Sequence, residues 1–312
     1  MSTTMIRRIT AVALGASMML AVAACGTTDD TSSSQSSSGT GASQQGYDTS
    51  AIKKDPAIAA LLPKSVTKDG TLTVGADTSY PPAEFLASDG KTPVGFDVDL
   101  SKAIAAVFGL KEQTITSSFD SIIPSTGTKY DIGISSFTVT KERLRAVDFV
   151  SYFKSGSTFV VKHGNPQHID SADLCGVKMA VQTGTLQETA AADINAKCKA
   201  SGKSQLEIQS LKQQTDVTTA VATGKADVFY ADTPVAGYAI KQTGNELQTI
   251  GEDVGVAPEA VAIRKGDADT AKAVQQAIQK LIDDGTYKKI LTTWGVASGA
   301  IDKSEINPTT GD

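Results

Sequence analysis

The sequence predicts an α/β protein of two lobes, each a βαβ-based sheet with flanking helices, joined by a two-strand hinge. Three observations predict it. Short β-branched runs alternate with stretches of helical periodicity, the pattern of a parallel sheet covered on both faces. The alternation occurs twice, on either side of a β-rich stretch near residue 160. A length of 312 residues, 40% hydrophobic and 20% charged, is enough for two cores of ordinary size.

The elements follow in order. Residues 52–62 read as a short helix, apolar at Ile58, Leu61 and Leu62, ended by Pro63. Residues 71–77 form a buried strand. Residues 96–100 lead into a helix through Phe108, with Leu100, Ile104 and Val107 at helical spacing and Asp97 or Asp99 as its cap. A strand at 114–118, a helical turn at 121–126 and a strand at 131–136 complete the first assembly. The run 156–162 leaves it. The second assembly has strands at 177–182, 206–211 and 227–231, and helices at 186–200, 213–223 and 234–242. A β run at 259–264 returns. An amphipathic helix at 269–283, stopped by Gly285, and a short one at 286–294 close the chain; Trp294 is expected in the core. The lobe boundaries expected from this are 51–160 plus 262–305 for the first lobe and 161–261 for the second, with a tail at 306–312. The chain crosses near 158–162 and 260–264, and two thin crossings make a hinge.

The N-terminus reads as a targeting segment, expected at 1–24. Arg7 and Arg8 precede an apolar run that is short for a membrane span and ends in Val22-Ala23-Ala24-Cys25. Small residues before a cysteine resemble a lipobox, in which Cys25 becomes lipidated; an ordinary secretory peptide or a signal anchor is the alternative. The Ser/Thr/Gly/Gln-rich residues 26–50 lack the apolar content to fold and read as a tether. The expected place is outside the cytoplasm, lipid-anchored to the outer face of the cell membrane. There the remaining pair, Cys175 and Cys198, is expected to bond; two buried thiols are the alternative. The formal charge of −5 and the lack of a basic stripe argue against nucleic acid. The two histidines, His163 and His168, have no metal-ligand spacing and read as surface residues, so neither a metal nor a cofactor is expected.

The chemistry concentrates in a few segments. Gly75-Ala76-Asp77-Thr78-Ser79-Tyr80 is followed, about sixty residues later, by Ser135-Ser136-Phe137-Thr138-Val139-Thr140-Lys141-Glu142-Arg143. A guanidinium fork, hydroxyls, backbone N–H groups and an acid are what capture of an amino acid requires. Gly95-Phe96-Asp97-Val98-Asp99-Leu100, Thr138 to Arg143 and Gln182-Thr183-Gly184-Thr185 resemble, in order and spacing over roughly residues 70–295, motifs of the extracellular solute-binding proteins of the polar amino-acid class, family 3, which feed ABC importers. Each motif is weak alone.

The resemblance implies the type II periplasmic-binding-protein fold and a free amino acid, polar or basic, closed between the lobes of a monomer and delivered to an ABC permease. It makes Arg143 the clamp for the ligand carboxylate and Asp232 the acid for its ammonium. The alternatives for these two residues are a surface arginine paired with Glu142 or Asp148, and a helix cap. Ser136 and Thr138 leave a strand at its carboxyl end, and Gly184-Thr185 opens a helix whose N–H groups favour an anionic oxygen. Tyr80 and Phe119 match positions against the ligand side chain, Asp77 is placed for a polar or cationic tip, and Gln187 is a weaker candidate. Phe137 interrupts the small polar run. Two other functions fit the fold: a sensor that reports ligand without transport, and a dehydratase acting on cyclic carboxylates. The dehydratase needs a positioned acid or base, and Glu84 is the only obvious spare.

Overall fold

In the computed structural model, residues 46–310 are described. The expected signal segment, Cys25 and most of the tether lie outside them.

Eleven strands are present among the described residues: β1 (Thr71–Ala76), β2 (Ser79–Tyr80), β3 (Glu84–Leu86), β4 (Pro93–Val94), β5 (Lys111–Thr116), β6 (Ile132–Thr138), β7 (Val147–Lys162), β8 (Lys178–Gln182), β9 (Glu207–Leu211), β10 (Val228–Asp232) and β11 (Leu247–Arg264). Ten α-helices accompany them: α1 (Pro56–Ala59), α2 (Lys64–Thr67), α3 (Phe96–Phe108), α4 (Phe119–Ser125), α5 (Arg143–Ala146), α6 (Leu186–Ala200), α7 (Gln214–Ala222), α8 (Thr233–Gln242), α9 (Ala268–Asp283) and α10 (Thr286–Thr293).

Eight strands form one sheet in the order β5-β1-β6-β11-β7-β10-β8-β9, and β2-β3-β4 form a small antiparallel sheet. Both ends of the large sheet are parallel: β5-β1-β6 at one end and β10-β8-β9 at the other. The two βαβ-based sheets that the sequence predicts are these ends, and they are joined at the centre, where β7 and β11 run antiparallel to each other and to their neighbours. These two strands, 16 and 18 residues long, are the two crossings of the sequence reading merged with their flanks. Their pairing shifts register between Ile250 and Val254, Val254 and Ala257, and Glu259 and Ala260. Such bulges bend and twist a ladder locally.

The longer helices fall where periodicity put them. Leu100, Ile104 and Val107 of α3 are fully buried, with Ala273, Val274, Ala277 and Ile278 of α9 in the same core. A separate core gathers Phe159, Val161, Met179, Val181, Val228 and Cys198. Cys198 is bonded to Cys175, with Cα atoms 5.6 Å apart. Deleting a large side chain from either core costs about 2–5 kcal/mol.

Five local expectations change. The helix at 52–62 contracts to α1, because the Asp55 carboxylate accepts from the N–H groups of Ala57 and Ile58 and Pro56 takes the first turn. Neither Asp97 nor Asp99 caps α3. The cap is Gly95, whose φ of 133° suits glycine and whose Cβ would strike the carbonyl of Ala83. Asp99 instead accepts from the N–H of Tyr47 at 2.6 Å and from Trp294 Nε1 at 2.8 Å. So the last residues of the expected tether are held to the body at Tyr47, and Trp294 is half-buried at a helix end. At the other terminus Asn307 bonds the backbone of Phe149 on β7, which ties down the start of the expected tail.

Candidate functional site

The site lies where the carboxyl ends of β6 and β10 face each other across the two long strands. Tyr80, Phe119, Ser136, Thr138, Arg143, Thr185, Leu186, Gln187 and Asp232 line a small, partly enclosed cavity of about 10 Å³, room for about one water molecule with the walls this close. Larger hollows lie at the surface beside the disulfide and along α9, but neither brings together a buried cation and a buried acid.

Arg143 opens the short helix α5. Its guanidinium donates to the carbonyls of Thr138 (2.9 Å) and, on the far wall, Gly184 (3.1 Å). Its head lies over the rings of Phe119 (5.3 Å) and Phe137 (5.8 Å), whose centroids are 4.9 Å apart with the planes tilted by 30°. Burial lowers the pKa of Arg143, and the charge of Asp232 opposes that. Neither expected surface partner, Glu142 or Asp148, bonds the guanidinium. Asp148 is paired with Lys265 at 2.8 Å.

Asp232 ends β10 and is buried. Its side chain does not cap α8. Oδ1 accepts from Gln187 Nε2 (2.7 Å) and Ser157 Oγ (3.3 Å), and Oδ2 accepts from the Tyr80 hydroxyl (2.7 Å). All three donors are neutral. Burial raises the pKa of Asp232, while these hydrogen bonds and the charge of Arg143 lower it.

The other expected residues divide. Thr185 caps α6, accepting from the N–H of Glu188, and the N–H of Gly184 donates to the Glu188 carboxylate. Gly184 has a φ of 81°, and a Cβ there would fall 2.8 Å from that of Asp120 on the opposite wall. Only glycine permits this approach. Ser136 has a φ of 45°, rare for a residue with a side chain. Its N–H is held by the Asp97 carboxylate at 2.8 Å, which also accepts from the Tyr152 hydroxyl at 2.7 Å. Asp77 does not border the cavity. Oδ1 accepts from the N–H (3.1 Å) and hydroxyl (2.7 Å) of Ser79, and Oδ2 accepts from the N–H of Phe119 and, across the cleft, from Gln182 Nε2, both at 2.9 Å. Four donors leave it little capacity for a ligand. Burial still raises its pKa, against those bonds.

Sequence reasoning missed Ser157, Gln182 and Phe137 as parts of the site. Beneath it lie three buried acids: Glu84, which the sequence offered only as a spare acid, Asp97, which it offered only as a helix cap, and Glu259, which it missed. Burial raises the pKa of each, that of Asp97 to about 6. Glu84 takes the Ser135 hydroxyl and shares a hydrogen bond with Asp97, while Oε2 of Glu259 has no hydrogen-bond partner. Acidic residues in otherwise apolar strands and turns were the available signal.

Residues 72–297 match the model of the bacterial extracellular solute-binding proteins, family 3. The chain belongs to this family. Its relatives in family 3 include the arginine-binding protein ArgT of Corynebacterium glutamicum, 35% identical over 257 residues that cover 81% of this chain and 83% of ArgT. The L-cystine-binding protein TcyJ of Escherichia coli K12 is 30% identical, over 75% of this chain and 85% of TcyJ. Among solved structures, an ancestral arginine-binding protein bound to arginine superposes with a TM-score of 0.67 at 33% identity, covering 72% of this chain and 98% of that one. The ancestral amino acid-binding protein AncCDT-1, a precursor of cyclohexadienyl dehydratase, gives 0.67 at 34% identity, covering 75% and 99%. The two-lobed fold of this family 3 member is the type II periplasmic-binding-protein fold.

Proposed function

We propose that the protein captures a free amino acid, best a cationic one, between its lobes outside the cytoplasm and delivers it to an ABC permease. In this reading lobe 1 is 51–160 plus 262–305, lobe 2 is 161–261, and the body works as a monomer. Cys25 carries the lipid anchor, and the Ser/Thr/Gly/Gln-rich stretch after it links that anchor to the body.

One observation carries the reading. Arg143 and Asp232, from opposite walls, border the same cavity, and neither forms an ion pair within hydrogen-bonding distance. A zwitterion would complete both. Its carboxylate takes the guanidinium fork, a pairing that lysine cannot reproduce. Its ammonium takes Asp232, displacing or sharing the Tyr80 hydroxyl. Ser136, Thr138 and Thr185 line the intervening wall, and Tyr80 and Phe119 supply ring faces for the side chain. A ligand that touches both walls favours the closed form by its differential contacts, and closure is what a permease can read. Gln187 acts in this scheme mainly by holding Asp232, and Asp77 by holding Gln182 across the cleft. The arginine, lysine and cystine relatives support an amino-acid ligand and favour a basic one.

Thermal-shift screening of the twenty amino acids tests this. The expected result is an increase in melting temperature with L-arginine or L-lysine that exceeds the effect of acidic and apolar amino acids. No shift with any amino acid contradicts the reading. A dehydratase would require a free acid or base in the cavity, and Glu84 is instead fully buried beneath it.

A further inference from the structure

Glu259 has no part in the scheme above, yet it occupies the centre of the hinge. It lies on β11, in register with Thr138 of β6 on one side and Phe153 of β7 on the other, immediately before a bulge. Only 2% of it is exposed, and its Oε2 has no hydrogen-bond partner. The hydroxyl of Ser136, a cavity-lining residue, contacts its carboxyl, so Glu259 stands one residue behind the cavity wall. The titratable groups that face it are Asp232 from β10, Asp97 from α3, Tyr80 from β2, Tyr152 from β7 and Tyr287 from α10. None of these is a cation. Arg143 interacts instead with Asp232, Tyr80 and Glu142.

The charge balance of the site is therefore uneven. A zwitterion would neutralise Arg143 and Asp232 and leave Glu259 buried, without a counter-charge. A buried carboxyl in that position stays protonated. A second positive charge on the ligand changes the balance, because attraction across a low-dielectric wall favours the ionised form.

We propose that Glu259 sets the charge preference of the site: its carboxyl loses a proton when a ligand with a cationic side chain is enclosed, and the resulting charge selects that ligand over a neutral one of the same shape. The O–H bond of the carboxylic acid breaks, the proton passes to solvent, and the carboxylate remains behind Ser136. The inference rests on the reading of Arg143 and Asp232 as the pair that holds the zwitterion. Glu259 acts through the wall, so it positions charge and does not grip the ligand.

Calorimetry of the full folded protein with L-arginine and its neutral isostere L-citrulline, in buffers of different ionisation enthalpy at pH 6–7, tests it. Arginine binding is expected to release close to one proton and citrulline binding none. The Glu259→Gln variant, nearly isosteric, is expected to abolish the release and to weaken arginine tenfold or more while moving citrulline by less than twofold. A merely structural role would weaken both ligands together. The proposal is overturned if wild type releases no more protons with arginine than with citrulline, a result that needs no variant to fold. It is also overturned if the variant keeps the wild-type arginine-to-citrulline ratio. Equal affinity for the two ligands defeats the selection while leaving the amino-acid reading standing, whereas binding of neither defeats both.

Discussion

Arg143 concentrates the argument at the scale of single residues. Its guanidinium meets two carbonyls and two aromatic faces, and no carboxylate lies within bonding distance. Arg143→Ala is expected to weaken L-arginine binding by about 2–5 kcal/mol in calorimetry, the usual cost of losing one partner of a buried charged pair. Arg143→Lys should recover little of it, because the fork is lost. Asp97 makes a pH-dependent prediction. Its pKa is raised from 3.8 to about 6, so the folded state holds a proton there that the unfolded state gives up. Stability from this group is fully present below pH 3.8 and is lost as pH rises through about 6. The unfolding free energy of wild type, relative to Asp97→Asn, should therefore fall by about 1–3 kcal/mol over that interval in denaturant titrations. Arg143, Asp232 and the Ser/Thr residues were legible because their types and order matched a known cradle. Phe137 was read as an interruption because sequence does not tell which neighbour a buried ring will meet; here it is Phe119 and the arginine head. The acids Asp97 and Glu259 were illegible for the same reason. Ser136, which both touch, lies 39 residues from Asp97 and more distant still from Glu259 along the chain.

At the scale of elements, strands and helices were legible where periodicity was clean. The expected 186–200 coincides with α6, and 269–283 differs from α9 by one residue at its start. The long strands β7 and β11 were not. Gly156 and the Gly251 to Pro258 stretch interrupt any alternation, and only mutual pairing with bulges carries the strands through. The disulfide ties the turn before β8 to the last turn of α6, closing a loop of sequence separation 23. In the chain-entropy account it contributes about 3 kcal/mol. The double variant Cys175→Ser, Cys198→Ser should lower the unfolding free energy by roughly that amount and leave ligand affinity within about twofold, since the bond staples a core away from the cavity. A large loss of affinity with unchanged stability would contradict this assignment.

At the scale of the whole molecule, the walls meet through a ring of polar contacts around the cavity. Gln182 reaches Asp77 at 2.9 Å, Lys212 reaches Asp120 at 2.7 Å, and the N–H of Gln214 reaches the hydroxyl of Ser79 at 3.1 Å. In the proposed two-lobe scheme these contacts belong to the closed form. Removing one costs the closed state about 1 kcal/mol, so Gln182→Ala should weaken ligand binding about fivefold. Its loss should not change the affinity of Arg143 variants further if they no longer close. The pattern of two assemblies in series made the two-lobed fold legible, but these rim contacts were not, because each joins segments about a hundred residues apart along the chain. The central claim is that one ligand's two charged ends bridge Arg143 and Asp232. Calorimetry of L-arginine beside agmatine, which lacks the carboxylate, and Nα-acetyl-L-arginine, which lacks the ammonium, tests it most directly. The account predicts that arginine binds and that each analogue loses at least a hundredfold; agmatine or the acetylated compound binding as tightly as arginine would contradict it.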